Sequence, residues 1–200
     1  MENGNYGTHL NVYDWKERKV VQKVDLGLEG VMPLEIRFLH DPKATEGFVG
    51  SALFANMFRF YKTAKGDWAA EKVIDIPQKK VDGWILPEMP GVMTDIIISM
   101  DDKYLYFSNW VHGDIRQYDI TDTRNPKLTG QVFFGGCIQR GGPITVTEDK
   151  ELSVSVEVTH HLQLHHYYSR FNLTLDTSRA RLSTEHLRCC SSVWTVRDCM

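Results

Sequence analysis

Strand-forming phrases recur along this chain at a spacing near fifty residues, and this recurrence narrows the possible folds more than any other feature. The phrases HLNVYDW, MFRFYK and DIRQYDI each carry a tyrosine near their end, Tyr13, Tyr61 and Tyr118, spaced 48 and 57 residues apart. Around each the order repeats: alternating strand, turn, strand ending in Tyr, polar loop, and a further strand such as VVQKVDL, EKVIDI or LTGQVFF. Apolar–polar alternation between turns predicts an all-β fold. A repeated unit of four short strands every ~50 residues predicts a β-propeller blade. A β-sandwich also places hairpins every ~8–12 residues, but gives no reason for a repeated unit.

Asp101-Asp102, before KYLYFSNW, is expected to turn the chain between a blade's first two strands, because Asp tolerates tight backbone. The stretch Asp122 to Pro126 is expected to do the same before the outermost strand. The sequence opens inside a blade and offers about two and a half blades, with a fourth starting at GGPITVTED. Closed rings need roughly four to eight blades. The chain therefore reads as a partial β-propeller, about three four-stranded blades of a larger ring.

Residue 152 marks a change of character. All fifteen glycines and all seven prolines precede it, while five of the eight histidines and three of the four cysteines follow it. Strands need turns, and Gly and Pro supply them. Residues 1–151 are read as the folded part and 152–200 as a divergent, poorly ordered or irregular tail.

Composition excludes some classes. A net charge of −3 carries no basic footprint for nucleic acid. No apolar run reaches the roughly 20 residues of a membrane-spanning helix, and the N-terminus MENGNYGTHL does not read as a signal peptide. Cys137, Cys189, Cys190 and Cys199 form no disulfide framework and no CxxC pair. A cytosolic protein is the expectation.

Five long phrases carry a family resemblance: PLEIRFLHDP (33–42), RFYKTAKGDWAAEKVI (59–74), GWILPEMPGVMTDIIISMDD (83–102), YLYFSNWVHGDIRQYDITD (104–122) and LTGQVFFGG (128–136). In this order they resemble the C-terminal half of the selenium-binding protein or methanethiol oxidase family, a propeller family, through about residue 151. The resemblance implies oxidation of methanethiol by oxygen and water to formaldehyde, hydrogen sulfide and hydrogen peroxide. It also implies copper, and selenium bound at a cysteine in a missing N-terminal half, so Cys137 has no claim to that role. A trafficking scaffold in intra-Golgi transport is the alternative it implies. Cytosol, nucleus and the peripheral membrane are its expected places. A chain lacking the other half is expected to be inactive alone.

Copper held by imidazoles suits thiol oxidation, because oxygen accepts electrons singly and borderline nitrogen ligands suit copper. His112 is the favoured candidate, in the turn between a blade's second and third strands. His40 ends an inner strand, so strand order places it at the opposite face and argues against a shared ion. Glu35 and Arg37 alternate on that inner strand, where charges must be paired or functional. They are read as an ion pair and as channel-face support. His9 reads as a surface residue. His160, His161, His165 and His166 form HHxxxHH without carboxylate support. Trp68, Trp84 and Trp110 are expected to pack between blades, and GWILPEMPG to shape a substrate mouth.

Overall fold

A side chain on a strand must find either a neighbouring sheet or water, and the alternation in this sequence sorts the two. In the computed structural model the described residues are 7–139 and 141–151, which hold thirteen β-strands and a short 3-10 turn at Leu28–Gly30. Strands β1 (His9–Asp14) and β2 (Lys19–Asp25) form a two-stranded antiparallel unit. Strands β3 (Pro33–Phe38), β4 (Glu46–Ser51), β5 (Asn56–Lys62) and β6 (Trp68–Asp75) form a meander in chain order. After β7 (Lys79–Asp82) and β8 (Glu88–Met89), a second meander follows: β9 (Met93–Ile98), β10 (Tyr104–Asn109), β11 (Asp114–Asp119) and β12 (Lys127–Phe133). Among the described residues two complete blades and part of a third are thus present, as the repeat predicts.

The blades meet through an apolar interface. Phe48, Met57, Ile74 and Ile76 of one pack against Met93, Ile96, Ile98, Leu105, Phe107 and Tyr118 of the other. Each such burial is worth roughly 1.5–3 kcal/mol, so this layer outweighs any surface pair. The approach is close at Gly50, where a Cβ would lie 2.9 Å from the Met93 sulfur.

Polar ties close the same interface. The Glu35 carboxylate accepts from the Ile96 N–H at 2.7 Å, Arg37 Nε donates to the Ile96 carbonyl at 3.1 Å, and the two side chains pair with each other. They thereby satisfy backbone groups of β9 that no strand pairs. At the end of the strands, Asp102 accepts from the backbone N–H of His40 at 2.8 Å and of Asp41 at 2.9 Å. Farther out, Glu46 of β4 pairs with Arg59, and its carboxylate accepts from the Thr123 hydroxyl in the β11–β12 turn.

Three expectations change. The GGPITVTED segment does not open a blade: β13 (Thr145–Glu148) turns back onto β7, giving a three-stranded sheet β13-β7-β8. Tyr61 and Tyr118 are not equivalent, since Asn56 and Asp114 both open the third strand and Phe60 is the counterpart of Tyr118. A one-residue slip moves a side chain to the other face. Accordingly Tyr118 is buried, stacked on Phe107, while Tyr61 lies half-buried beneath the Arg59 guanidinium. Trp110 is 66% exposed rather than packed between blades. Trp68 and Trp84 do pack at the margins of apolar clusters. Residues 152–200, including His160, His161, His165 and His166 of the HHxxxHH phrase, lie outside the described residues.

Replacing Glu35 by Ala removes the acceptor for the Ile96 N–H and the partner of Arg37. A loss of about 1–3 kcal/mol in urea denaturation is expected; a loss under a few tenths would show that water replaces the carboxylate without cost.

Candidate functional site

Both complete blades build the corner between their second and third strands in the same way. Ser51 pairs with Asn56 across the turn 52–55, and Asn109 with Asp114 across the turn 110–113. The connector entering each blade passes beneath its corner: Ala52 N–H donates to Met32 O at 2.9 Å, and Trp110 N–H to Val92 O at 3.0 Å. Met32 and Val92 both adopt left-handed backbone, at φ 60 and φ 54. That conformation is costly for a β-branched valine and persists only where surroundings impose it.

The corners differ in chemistry. The third turn position is Phe54 in one and His112 in the other. His112 is 2% exposed. Its Nε2 lies 3.0 Å from the Met89 carbonyl, which can only accept, so Nε2 carries the proton of the neutral ring and Nδ1 keeps a lone pair. Nδ1 is buried without a protein partner. Burial lowers the pKa of His112, aided by the Lys79 and Arg116 charges; the Met89 hydrogen bond and Asp114 oppose this. The imidazole is therefore neutral near pH 7.

Beside it lies a buried ionic cluster. Arg116 is 1% exposed; its Nε donates to Asp114 at 2.8 Å, and its terminal nitrogens hold Glu151 in a fork at 2.5 and 2.7 Å. Lys79, on β7, pairs with Asp149 and lies 3.5 Å from Glu151. Gln131 donates to Asp114 at 2.6 Å. Burial works against the Arg116 charge, but Glu151 and Asp114 more than offset it and raise its pKa. Burial likewise raises Glu151, yet Arg116 and Lys79 hold it below the ordinary range. Sequence reasoning missed this cluster. Its members come from β7, β11, β12 and the turn after β13, and only the pairing of β13 with β7 joins them.

The other expected site residues are elsewhere. His40 Nδ1 lies 2.7 Å from Asp102, in the turn before β10, whereas His112 follows β10. A six-residue strand spans roughly 20 Å, against metal–nitrogen bonds of about 2 Å. No single ion touches both. Glu35 and Arg37 face Ile96 within β9. His9 sits on exposed β1 near Asp25, at 3.8 Å. Among the described residues no three His, Cys, Asp or Glu side chains converge to hold a metal ion. The hairpin β7–β8 carries exposed Ile85 and Leu86, beside an open depression of about 370 Å³ lined by Gln78, Lys80, Leu86, Pro87 and Glu88.

The family model of the 56 kDa selenium-binding protein matches residues 1–182, so its match passes the change in composition at residue 152. A methanethiol oxidase of Xenopus laevis is 67% identical over 152 residues, covering 76% of this chain and 32% of that protein. A human methanethiol oxidase is 57% identical over 157 residues, covering 78% and 33%. The crystal structure of a hypothetical selenium-binding protein from Sulfolobus tokodaii superposes with a TM-score of 0.60 at 39% identity, over 66% of this chain and 31% of that one. The chain belongs to the selenium-binding protein family. It spans about a third of the length of the curated relatives it matches.

Two outcomes are expected. Replacing Glu151 by Gln leaves the Arg116 charge buried with half its carboxylate support and should cost about 3 kcal/mol, read from urea unfolding. The neutral His112 also sets an acid limb. Its folded pKa lies below the ordinary value, so the unfolded chain takes up the proton first. Stability is then whole above about pH 6.5 and declines as pH falls below it. Glu151 and Asp102, both lowered, add losses only below about pH 4.5. Urea midpoints at pH 7.5 and 5.5 should differ less in a His112→Phe variant than in the parent; an equal difference would mean that His112 is not the group titrating.

Proposed function

We propose that this chain belongs to an oxidase of small thiols, which converts methanethiol, oxygen and water to formaldehyde, hydrogen sulfide and hydrogen peroxide. The observation that carries the proposal is 57–67% identity, over three-quarters of the chain, to proteins named methanethiol oxidase. In this reading residues 7–151 supply two blades and the buried His112 corner. The apolar tip of the β7–β8 hairpin suits the approach of a one-carbon thiol, since small-molecule sites are mostly apolar with few polar groups.

The family resemblance implies copper. The described residues do not fit a copper centre: His40 is engaged by Asp102, His112 lies at the other end of β10, and no third ligand joins either. No step is therefore routed through a metal. What these residues supply is a neutral imidazole beside buried charges, held in one tautomer by the Met89 carbonyl.

A chimera tests the proposal. The segment of the Xenopus laevis relative matched by this chain is replaced with the corresponding residues of this chain. The chimera is then given methanethiol in air, while peroxide and sulfide are followed. Equal release of both, at a rate within about tenfold of the relative, is expected. A folded chimera that consumes no thiol would refute the assignment for this sequence.

A further inference from the structure

The two equivalent corners satisfy their polar groups differently. In the first, the single Ser51 hydroxyl proton is shared between the carbonyls of Glu29 and Val31, at 3.0 and 2.8 Å, and Asn56 Nδ2 donates to Glu29 O at 3.2 Å. Of its side-chain polar atoms, only Asn56 Oδ1 lacks a protein partner. In the second, four fully buried atoms lack one: Asn109 Oδ1 and Nδ2, His112 Nδ1 and Asp114 Oδ1. A buried polar atom without a partner keeps its full desolvation penalty, and this corner has four such atoms where its counterpart has one.

The chemistry of these atoms is specific. Asn109 Oδ1, His112 Nδ1 and Asp114 Oδ1 are acceptors, and Asn109 Nδ2 is the sole donor. The surrounding cluster sets Lys79 and Arg116 against Asp114, Asp149 and Glu151, an excess of one negative charge beside a neutral His112. Such a site disfavours an anion and calls for hydrogen-bond donors. His112 stands where the first corner has Phe54, so the repeat itself does not require the imidazole.

We propose that the β10–β11 corner binds a small neutral X–H donor, water or a thiol, through His112 Nδ1 and Asp114 Oδ1, with the Asn109 amide alongside. The thiol arm rests on the oxidase reading; the water arm does not.

The test is nuclear magnetic resonance on the full 200-residue chain labelled at its histidine rings and Asn side chains. The His112 nitrogens are expected to show a protonated Nε2 and a hydrogen-bonded acceptor at Nδ1. A saturable shift of Nδ1 on adding methanethiol identifies a thiol site. Magnetisation transfer from water to the His112 ring, with no thiol-dependent shift, identifies a water site. A free Nδ1 with neither signal overturns the proposal. A His112→Phe variant copies the counterpart corner. It should lose any thiol-dependent shift at the Asn109 amide, and a shift that persists would place the thiol elsewhere. These readouts need no turnover, so an inert chimera would sink the oxidase reading and leave the site standing.

Discussion

Arg116 is the charge around which one end of this molecule is organised. A guanidinium at 1% exposure would be prohibitively costly alone, and it is met by Asp114 on its own strand and by the Glu151 carboxylate across a two-toothed fork. Glu151 lies just beyond β13, which pairs with β7, and β7 brings Lys79 to the same carboxylates. The segment 145–151, the β7–β8 hairpin and the second complete blade thus hold together through one buried network. His112 owes its position to the same arrangement, since the hairpin supplies the Met89 carbonyl that fixes its tautomer.

Repetition gives this fold economy, and its departures from repetition carry the chemistry. The connectors before β3 and β9 pass beneath their corners with a left-handed residue at the same place, Met32 or Val92, and the same backbone hydrogen bond. Where the repeat is kept, as at Ser51 and Asn56, the corner is closed by backbone carbonyls. Where it is broken, an imidazole, a carboxylate and an amide present buried atoms without protein partners. The inner strands follow another logic, because Glu35 and Arg37 spend their charges on the free edge of β9.

Much of this was legible beforehand. The period, the turns at Asp101-Asp102 and Asp122–Pro126, the pairing of Glu35 with Arg37, and the opposite placement of His40 and His112 all follow from alternation and strand order. The tyrosine alignment failed by one residue, because a phrase ending in Tyr records composition and not which face that residue takes. Trp110 misled for a related reason: a large apolar side chain at a turn carries no periodic signal to say whether a neighbouring sheet covers it. The resemblance pointed to copper, but imidazole count alone does not show convergence.

The sequence by itself determined the strands, the blade unit and the family, because these depend on local alternation, turn chemistry and long ordered phrases. Tertiary structure alone decided that β13 returns to β7 and that residues 79, 114, 116, 149 and 151 share one buried cluster. It also decided that His112 faces inward with one nitrogen engaged and one open. The physical reason is that burial and electrostatic partnership belong to pairs of residues far apart in the chain, and no local pattern records which distant charge will be brought to meet another.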